Sequence, residues 1–377
     1  MKTKRIFALL AAVFCHHSVA FPQTWTQVGP SNLYLVSVAM SAAGNKLAAV
    51  SSGQHVIFST DSGQTWQTNP SSPFYDTCVA SSADGTQLAT FSLDSGNAGI
   101  YVSTNSGEVW KKTSSPSSFN VLSMSIAASA DASKLIESGS GSYLYVSTNG
   151  GVTWSSGGSP SGSWTSVAAS ADGTKMMAAE NGGIYTSTNC GATWTATGAP
   201  VEPWSSLACS ADGIHLISSG SATYVSTNFG GAWRLASPQT GKVASSADGT
   251  KLVIAGSSIY TSSDSGLTWT HNLAPGSWTS VASSADGSEL LANNQSSGIW
   301  IGRTVPSPRL QAAASGGKVA LSWIIPSASF VLQQNSDLTT TNWLNLTATP
   351  RLELTNLMDQ LTLPGSAGNA FFRLSAP

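Results

Sequence analysis

The sequence predicts an all-β chain, a seven-bladed β-propeller closed by an N-terminal strand and followed by a small C-terminal β-sandwich. Three observations predict it. Near-copies of the box Ser147-Thr148-Asn149-Gly150-Gly151-Val152-Thr153-Trp154 begin at Ser59, Ser103, Ser187, Ser226 and Ser262, at intervals of about forty residues. Upstream of each lies a second phrase, represented by Val167-Ala168-Ala169-Ser170-Ala171-Asp172-Gly173-Thr174-Lys175-Met176. Lastly, Thr24-Trp25-Thr26-Gln27 has the form of the strand that follows a box, yet no box precedes it, and the last repeat, which begins at Val281, ends before its box.

Each element follows from local chemistry. In the box, Ser and Asp or Asn offer short side chains to nearby backbone groups, Gly takes positive φ, and Trp anchors the turn. In the upstream phrase, Asp-Gly between alternating apolar runs is a hairpin signal. One repeat then reads as four short strands: V-A-x-S, the A-D-G turn, K-L-x-A, a variable loop, I-Y-x-S, the box, and T-W-x-x. Four strands per unit of about forty residues is a propeller blade. The last unit lacks its outer strand, and Thr24 to Val28 can supply it, leaving no free edge between the terminal blades. The first repeat has Ser41-Ala42-Ala43-Gly44-Asn45 at its turn, and the third has Asp131-Ala132, without the turn glycine.

With S-x-[DN]-x-G-x-T-W and A-D-G-T in register over roughly residues 24 to 303, the chain resembles the Asp-box, or BNR-like, β-propellers. That superfamily includes sialidases, xyloglucan hydrolases, sortilin ectodomains and photosystem II assembly factors. The resemblance implies a propeller in which the boxes are structural and lie away from any active site. One fold of this kind hosts many activities, so the function must be argued from the site.

The chain has 377 residues, only 9% of them charged, and is rich in Ser, Thr and Gly. Residues 1–20 read as a secretory signal: Lys2, Lys4 and Arg5, an apolar run from Ile6 to Phe14, and Ser18-Val19-Ala20 before the cleavage point. The apolar run is too short to span a bilayer. Export implies a secreted or cell-surface protein, and loss of the signal takes the formal charge from −2 to −5. A mildly acidic surface is a poor partner for nucleic acid or anionic membrane. Cys78, Cys190 and Cys209 stand at unrelated repeat positions, which argues against a disulfide framework. The propeller is expected over 21–303 and a Pro-rich linker over 304–309. The sandwich module is expected over 310–377; its tail, from Leu338 to Trp343 and from Asn369 to Leu374, resembles short fibronectin-III-like modules of secreted bacterial proteins. A monomer is expected.

The A-D-G turns and the boxes fall on one face of the ring, so the other loops fall on the opposite face, where function is sought. Aromatics recur there after prolines: Tyr34, Tyr75, Phe119, Trp164, Trp204 and Trp278. They read either as a stacking surface for a glycan or a protein, or as packing between blades. The fixed position of the three tryptophans, eight residues before the turn Asp, favours packing. Catalytic material is sparse. A sialidase needs three clustered arginines, and from Thr24 to Arg303 there are only Arg234 and Arg303. A glycosidase needs two carboxylates; the loop-face acids are Asp76, Asp94, Glu137, Glu180 and Glu202, and the candidate pairing is Glu137 with Glu180 or Asp94. Glu137 occupies a slot held elsewhere by Ala49, Thr90, Ala178, Ser218, Ile254 and Ala292, which suggests partial burial and a perturbed pKa. His55, His215 and His271 show no metal-ligand spacing, and no phosphate loop or nucleophile elbow occurs, so no cofactor is expected. The sequence thus favours a non-catalytic binding or scaffold protein for a glycan or an extracellular protein, with a polysaccharide hydrolase as the alternative.

Overall fold

The computed structural model describes residues 24–30, 33–51, 53–70, 72–73, 75–94, 97–113, 125–138, 143–156, 158–273, 276–295, 297–304, 310–315, 318–324, 331–337, 340, 342–353, 357–364 and 370–375. The signal segment 1–20, Phe119 and most of the linker, 305–309, lie outside them. All regular structure among the described residues is β.

Alternating apolar residues give each repeat a short antiparallel meander, and the innermost strands are Leu35–Met40, Asp76–Ser81, Ser125–Ala128, Trp164–Ala169, Ser206–Cys209, Lys242–Ser245 and Trp278–Ser283. Each packs against the next, and the last returns to the first, so seven sheets form a closed ring. The closing sheet is completed by Thr24–Gln27, which pairs antiparallel with Gly298–Arg303, Thr24 opposite Arg303 and Gln27 opposite Trp300. The orphan strand therefore takes the outer place in the last blade, and Trp25 lies over Gly302, where a Cβ would strike its indole at 2.6 Å. One blade departs from the four-strand expectation: in the third, the outer strand is reduced to a bridge between Val146 and Ser155. The segment after that box is Ser155-Ser156-Gly157-Gly158, with little β propensity.

The two recurring phrases meet in space. The A-D-G alanines form a ring of backbone hydrogen bonds, each N–H donating to the next blade's carbonyl: Ala42 to Ala83, then Ala130, Ala171, Ala211, Ala247, Ala285 and back to Ala42, all at 2.7–2.8 Å. In the six turns with an aspartate the serine hydroxyl donates to its carboxylate, as Ser82 does to Asp84 at 2.6 Å, and accepts an N–H three residues beyond the aspartate, as from Gln87 at 3.0 Å; in the first turn Ser41 donates to Asn45 Oδ1 at 3.0 Å. The lysine after the turn bridges onward, Lys175 Nζ donating to the Asp212 carbonyl at 2.8 Å and Lys251 Nζ to Asp286 at 2.6 Å. That stem lies against the next turn's glycine: a Cβ on Gly173, at φ +64°, would meet Lys134 Cβ at 2.8 Å.

The boxes are fastened to these turns. Ser106 N–H donates to Thr86 O at 2.7 Å, Gly150 to Ser133 at 2.8 Å and Cys190 to Thr174 at 2.9 Å, which places boxes and turns on one face. Inside the box, Ser59 Oγ accepts from Gly63 N–H at 2.9 Å, and Asp61 accepts from Thr65. The Thr65 bonds, with help from Ser59, hold Asp61 down to about 2. The box tryptophans are half-buried; Trp110, Trp154 and Trp194 donate to their own box glycine, while Trp66 and Trp269 reach Val28 and Ala236 of the preceding unit.

Beyond the ring, Gln311–Ser315, Lys318–Ile324, Met358–Pro364 and Arg351–Glu353 form one sheet, and Leu344–Asn345, Val331–Asn335 and Phe371–Ser375 another. They share a core of Leu321, Trp323, Leu361 and Leu332, as a small sandwich requires.

Gly173→Ala should cost at least about 1 kcal/mol in a denaturant melt, because positive φ and the Lys134 stem both oppose the new methyl. Gly150, at φ +67° with only the Ala132 carbonyl at 3.8 Å from where a methyl would sit, isolates the backbone part. Gly150→Ala should cost less; equal losses would show that contact between neighbouring turns contributes nothing.

Candidate functional site

With turns and boxes committed to one face, the opposite face is formed by the loops between second and third strands and by the blade-to-blade connections. The structure divides the sequence candidates there into three groups.

The tryptophans are not a stacking surface. Trp164, Trp204 and Trp278 are 1%, 1% and 7% exposed. Each begins or precedes an innermost strand and turns onto the preceding blade: Trp164 packs with Ile136, Leu144 and Ala178, Trp204 with Met177 and Ile184, and Trp278 with Val253, Ile259 and Ala292. The reading of these three as ligand contacts is thus corrected, because burying an indole between sheets is worth more than leaving its face in water.

Glu137 is also withdrawn from the surface. It sits mid-strand opposite Ile126 and Tyr145, is 0% exposed, and neither carboxyl oxygen has a hydrogen-bond partner among the described residues. Leu135, on the same side of the strand, packs with Cys78, Phe91 and Ile100 of the preceding blade, so this side faces blade two. Burial pushes Glu137 up to about 8. The structure links it by no ion pair or hydrogen bond to Glu180 or Asp94, and a carboxyl sealed between blades does not flank the bond of a polymer. Asp76 is its counterpart on the other side of the second blade. It takes the register position of Leu35, Trp164 and Trp278, is 1% exposed with neither oxygen hydrogen-bonded among the described residues, and is pushed by burial up to about 7. The Thr90 hydroxyl, which opposes that rise, donates to Cys78 O at 2.7 Å. Cys78 is pushed up to about 12, by burial first and then by the Glu137 and Asp76 charges.

What remains open to solvent is a different set. Tyr34 is 57% exposed, its hydroxyl accepting from Gln295 Nε2 at 2.9 Å across the closing seam. Tyr75, at φ +60° and 47% exposed, lies beside Gly53 of the first blade. Tyr143 and Val201, which the sequence reading did not single out, are 44% and 86% exposed. Asp94 is half-buried, its N–H on Ser92 Oγ at 3.2 Å. Glu180 and Glu202 are brought together by their loops: Gly182 N–H donates to Glu202 O at 2.9 Å and Asn181 bridges Pro203. Each carboxylate meets a tyrosine of its neighbouring strand, Tyr185 for Glu180 and Tyr224 for Glu202. Both tyrosine rings stand edge-on to a buried indole, Trp164 at 5.3 Å and Trp204 at 5.5 Å, each at 79°. The I-Y-x-S strand was the signal for these tyrosines; the acids come from a strand end, Glu180, and from a blade connection, Glu202. No group of His, Cys, Asp and Glu among the described residues has metal-binding geometry, and no described helix is long and apolar enough to cross a membrane.

The fold and this face make the chain a β-propeller, and comparisons with known proteins agree. No family model and no curated protein matches the sequence. Solved structures do. A GH74 xyloglucanase from Xanthomonas campestris superposes with a TM-score of 0.61 at 17% identity, covering 80% of this chain. This chain spans 60% of that enzyme's length. YCF48 from Cyanidioschyzon merolae gives a TM-score of 0.57 at 16% identity over 74% of this chain and 98% of its own. A structure of YCF48 bound to D1 peptide gives 0.56 at 15% identity, over 76% of this chain and 97% of its own. At these identities the likeness establishes the fold.

The two sealed carboxyls carry a pH signature. In the folded chain Asp76 and Glu137 keep protons to about 7 and about 8, whereas in the unfolded chain they release them near 4. The folded state then binds more protons across that window, so their contribution to stability is full below about pH 4 and is lost as pH rises through 7 and 8. Urea unfolding at a series of pH values should show stability falling over this range, and an Asp76→Asn, Glu137→Gln double variant should flatten the slope. Trp204→Ala should cost about 3–5 kcal/mol as a cavity in the same measurement.

Proposed function

We propose that this is an exported, non-catalytic binding or scaffold protein that holds an extracellular protein or a glycan on the loop face of its ring. One observation carries the reading: Asp76 and Glu137 are sealed between blades, while Tyr34, Tyr75, Tyr143 and Val201 remain exposed on a rigid frame. Exposed aromatic and aliphatic side chains held by rigid strands supply contact area at small entropic cost. YCF48, whose solved structure holds a D1 peptide, is a precedent for a peptide on such a ring. Six boxes with the same internal hydrogen bonds support placing the chain among Asp-box propellers, and the basic, apolar and small-residue order of residues 1–20 supports export. On this reading residues 21–303 bind, 304–309 link and 310–377 form the fibronectin-III-like module of a monomer that needs no cofactor. Polysaccharide hydrolysis is the weaker reading, because Glu137 lies between blades.

Arrays of glycans and of peptides, scored for binding and for product release, test the proposal. A Tyr34→Ala, Tyr75→Ala double variant should bind at least about tenfold more weakly, as loss of two interface aromatics implies, with an unchanged melting temperature. Unchanged affinity in a folded double variant, or release of shortened sugars, would remove it.

A further inference from the structure

Blade six breaks the repeat at the axis of the ring. Val38, Val79, Val167, Leu207 and Val243 each donate their N–H to a serine hydroxyl of the preceding blade, and all five are buried. Val281 stands at the same register, opposite Ala292 as Val38 is opposite Ala49. The preceding blade offers it Lys242 in place of a serine, and Val281 is only half-buried. A hydroxyl accepts an N–H, whereas an ammonium has donors alone. One donor of Lys242 goes to Ser205 O at 3.1 Å, so its remaining donors and the Val281 N–H meet with no acceptor between them among the described residues. The lysine is open to water, yet the strands enclosing the axis crowd its ammonium, and burial holds its pKa below the ordinary lysine value with no carboxylate near enough to raise it. The ion pair found among the described residues, Arg303 with Glu289, lies at the turns on the opposite face.

The surroundings narrow the chemistry further. Thr240 and Gly241 lie flat on Ala255 and Gly256, where a Cβ on Gly241 would strike the Ala255 carbonyl, so no indole covers the start of this strand. From there the rim passes to blade seven, Trp278 N–H donating to Gly256 O at 3.0 Å and Gly276 N–H to Ser257 O at 2.9 Å. It continues through Ser277 and Gln295 to the exposed Tyr34, whose hydroxyl accepts from Gln295 Nε2 at 2.9 Å. These residues are neutral hydroxyls and amides beside one aromatic ring. They suit a sugar, whose hydroxyls pair with such groups and whose C–H face lies on an aromatic. An acidic peptide draws on a strand edge or an apolar groove, and neither lies along this rim among the described residues.

We propose that the loop-end mouth of the axial channel takes a uronic-acid residue of an acidic glycan, its carboxylate on the Lys242 ammonium and the Val281 N–H, with the sugar chain running over Ser277 and Gln295 toward Tyr34. The inference rests on the loop-face binding reading and names the ligand's chemistry.

The test uses the purified full chain and a fluorescent oligogalacturonate, against the same oligosaccharide with its carboxyls reduced and against a glutamate-glycine peptide. Anisotropy should show binding of the oligogalacturonate alone. Lys242→Ser restores the serine of the other blades and should keep the melting temperature while weakening binding at least about tenfold, as loss of a charge-assisted contact implies. Lys242→Arg should retain binding, since a guanidinium also holds a carboxylate, and Lys112→Ser beside a box should leave it unchanged. No binding of the oligogalacturonate, or equal binding by a folded Lys242→Ser variant, overturns the inference, and so does an equal loss in Lys112→Ser. If the reduced sugar or the peptide binds instead and Tyr34→Ala, Tyr75→Ala abolishes that binding, this inference falls and the loop-face reading stands. If nothing that binds responds to variants on this face, both fall.

Discussion

Seven backbone hydrogen bonds between successive alanines, from Ala42 round to Ala285 and back, are the constraint on which the molecule turns. A closed cycle of contacts has no end at which to fray, and it forms only if every blade presents its turn at the same height and angle. That requirement explains the phrase S-A-D-G as a unit. The serine and aspartate rigidify the turn, the alanine supplies donor and acceptor, and the glycine admits the neighbour's lysine stem. A side chain much larger than alanine would crowd a ring in which successive backbones approach to hydrogen-bond distance.

A second set of contacts rises from the turns along the inner strands. Each sheet's innermost edge would expose unpaired N–H groups, and serines of the preceding blade accept from several of them: Ser280 from Val38, Ser37 from Val79, Ser125 from Val167, Ser166 from Leu207 and Ser206 from Val243. At the same repeat position the second blade has Cys78 and the sixth has Lys242. Above this level the interfaces are filled by size-matched pairs, Trp164 with Ala178, Trp278 with Ala292 and Leu35 with Ala49. The anomalous carboxyls belong to this series. Asp76 replaces the large partner and Glu137 replaces the small one, so both acids stand at packing positions of the repeat, where burial raises their pKa to about 7 and about 8.

Because closure consumes one face, the other is free to vary. Its loops carry the exposed tyrosines and the braced acids without touching the alanine cycle. Variation at Glu180, Glu202 or Tyr75 therefore changes what the ring meets without changing how it closes, a separation that loop-borne function generally relies on.

The period, the strand count per blade and the closing strand were legible in the sequence, because turn chemistry is local and recurs at fixed spacing. Gly173 and Asp172 announce their turn wherever they stand, and Thr24 to Gln27 could be matched to a missing place by form alone. Partial burial of Glu137 was legible too, since it stands in a slot of small or apolar residues; its complete sealing, which removes it as a catalytic candidate, was not. Exposure on the loop face was not. Trp164 and Tyr75 both follow a proline in a blade connection, yet one is sealed and the other open, because Asp76 and not Tyr75 takes the register position that Trp164 fills against the preceding blade. The alanine cycle was hidden for the same reason: its hydrogen bonds join units some forty residues apart, and they exist only when the ring is closed.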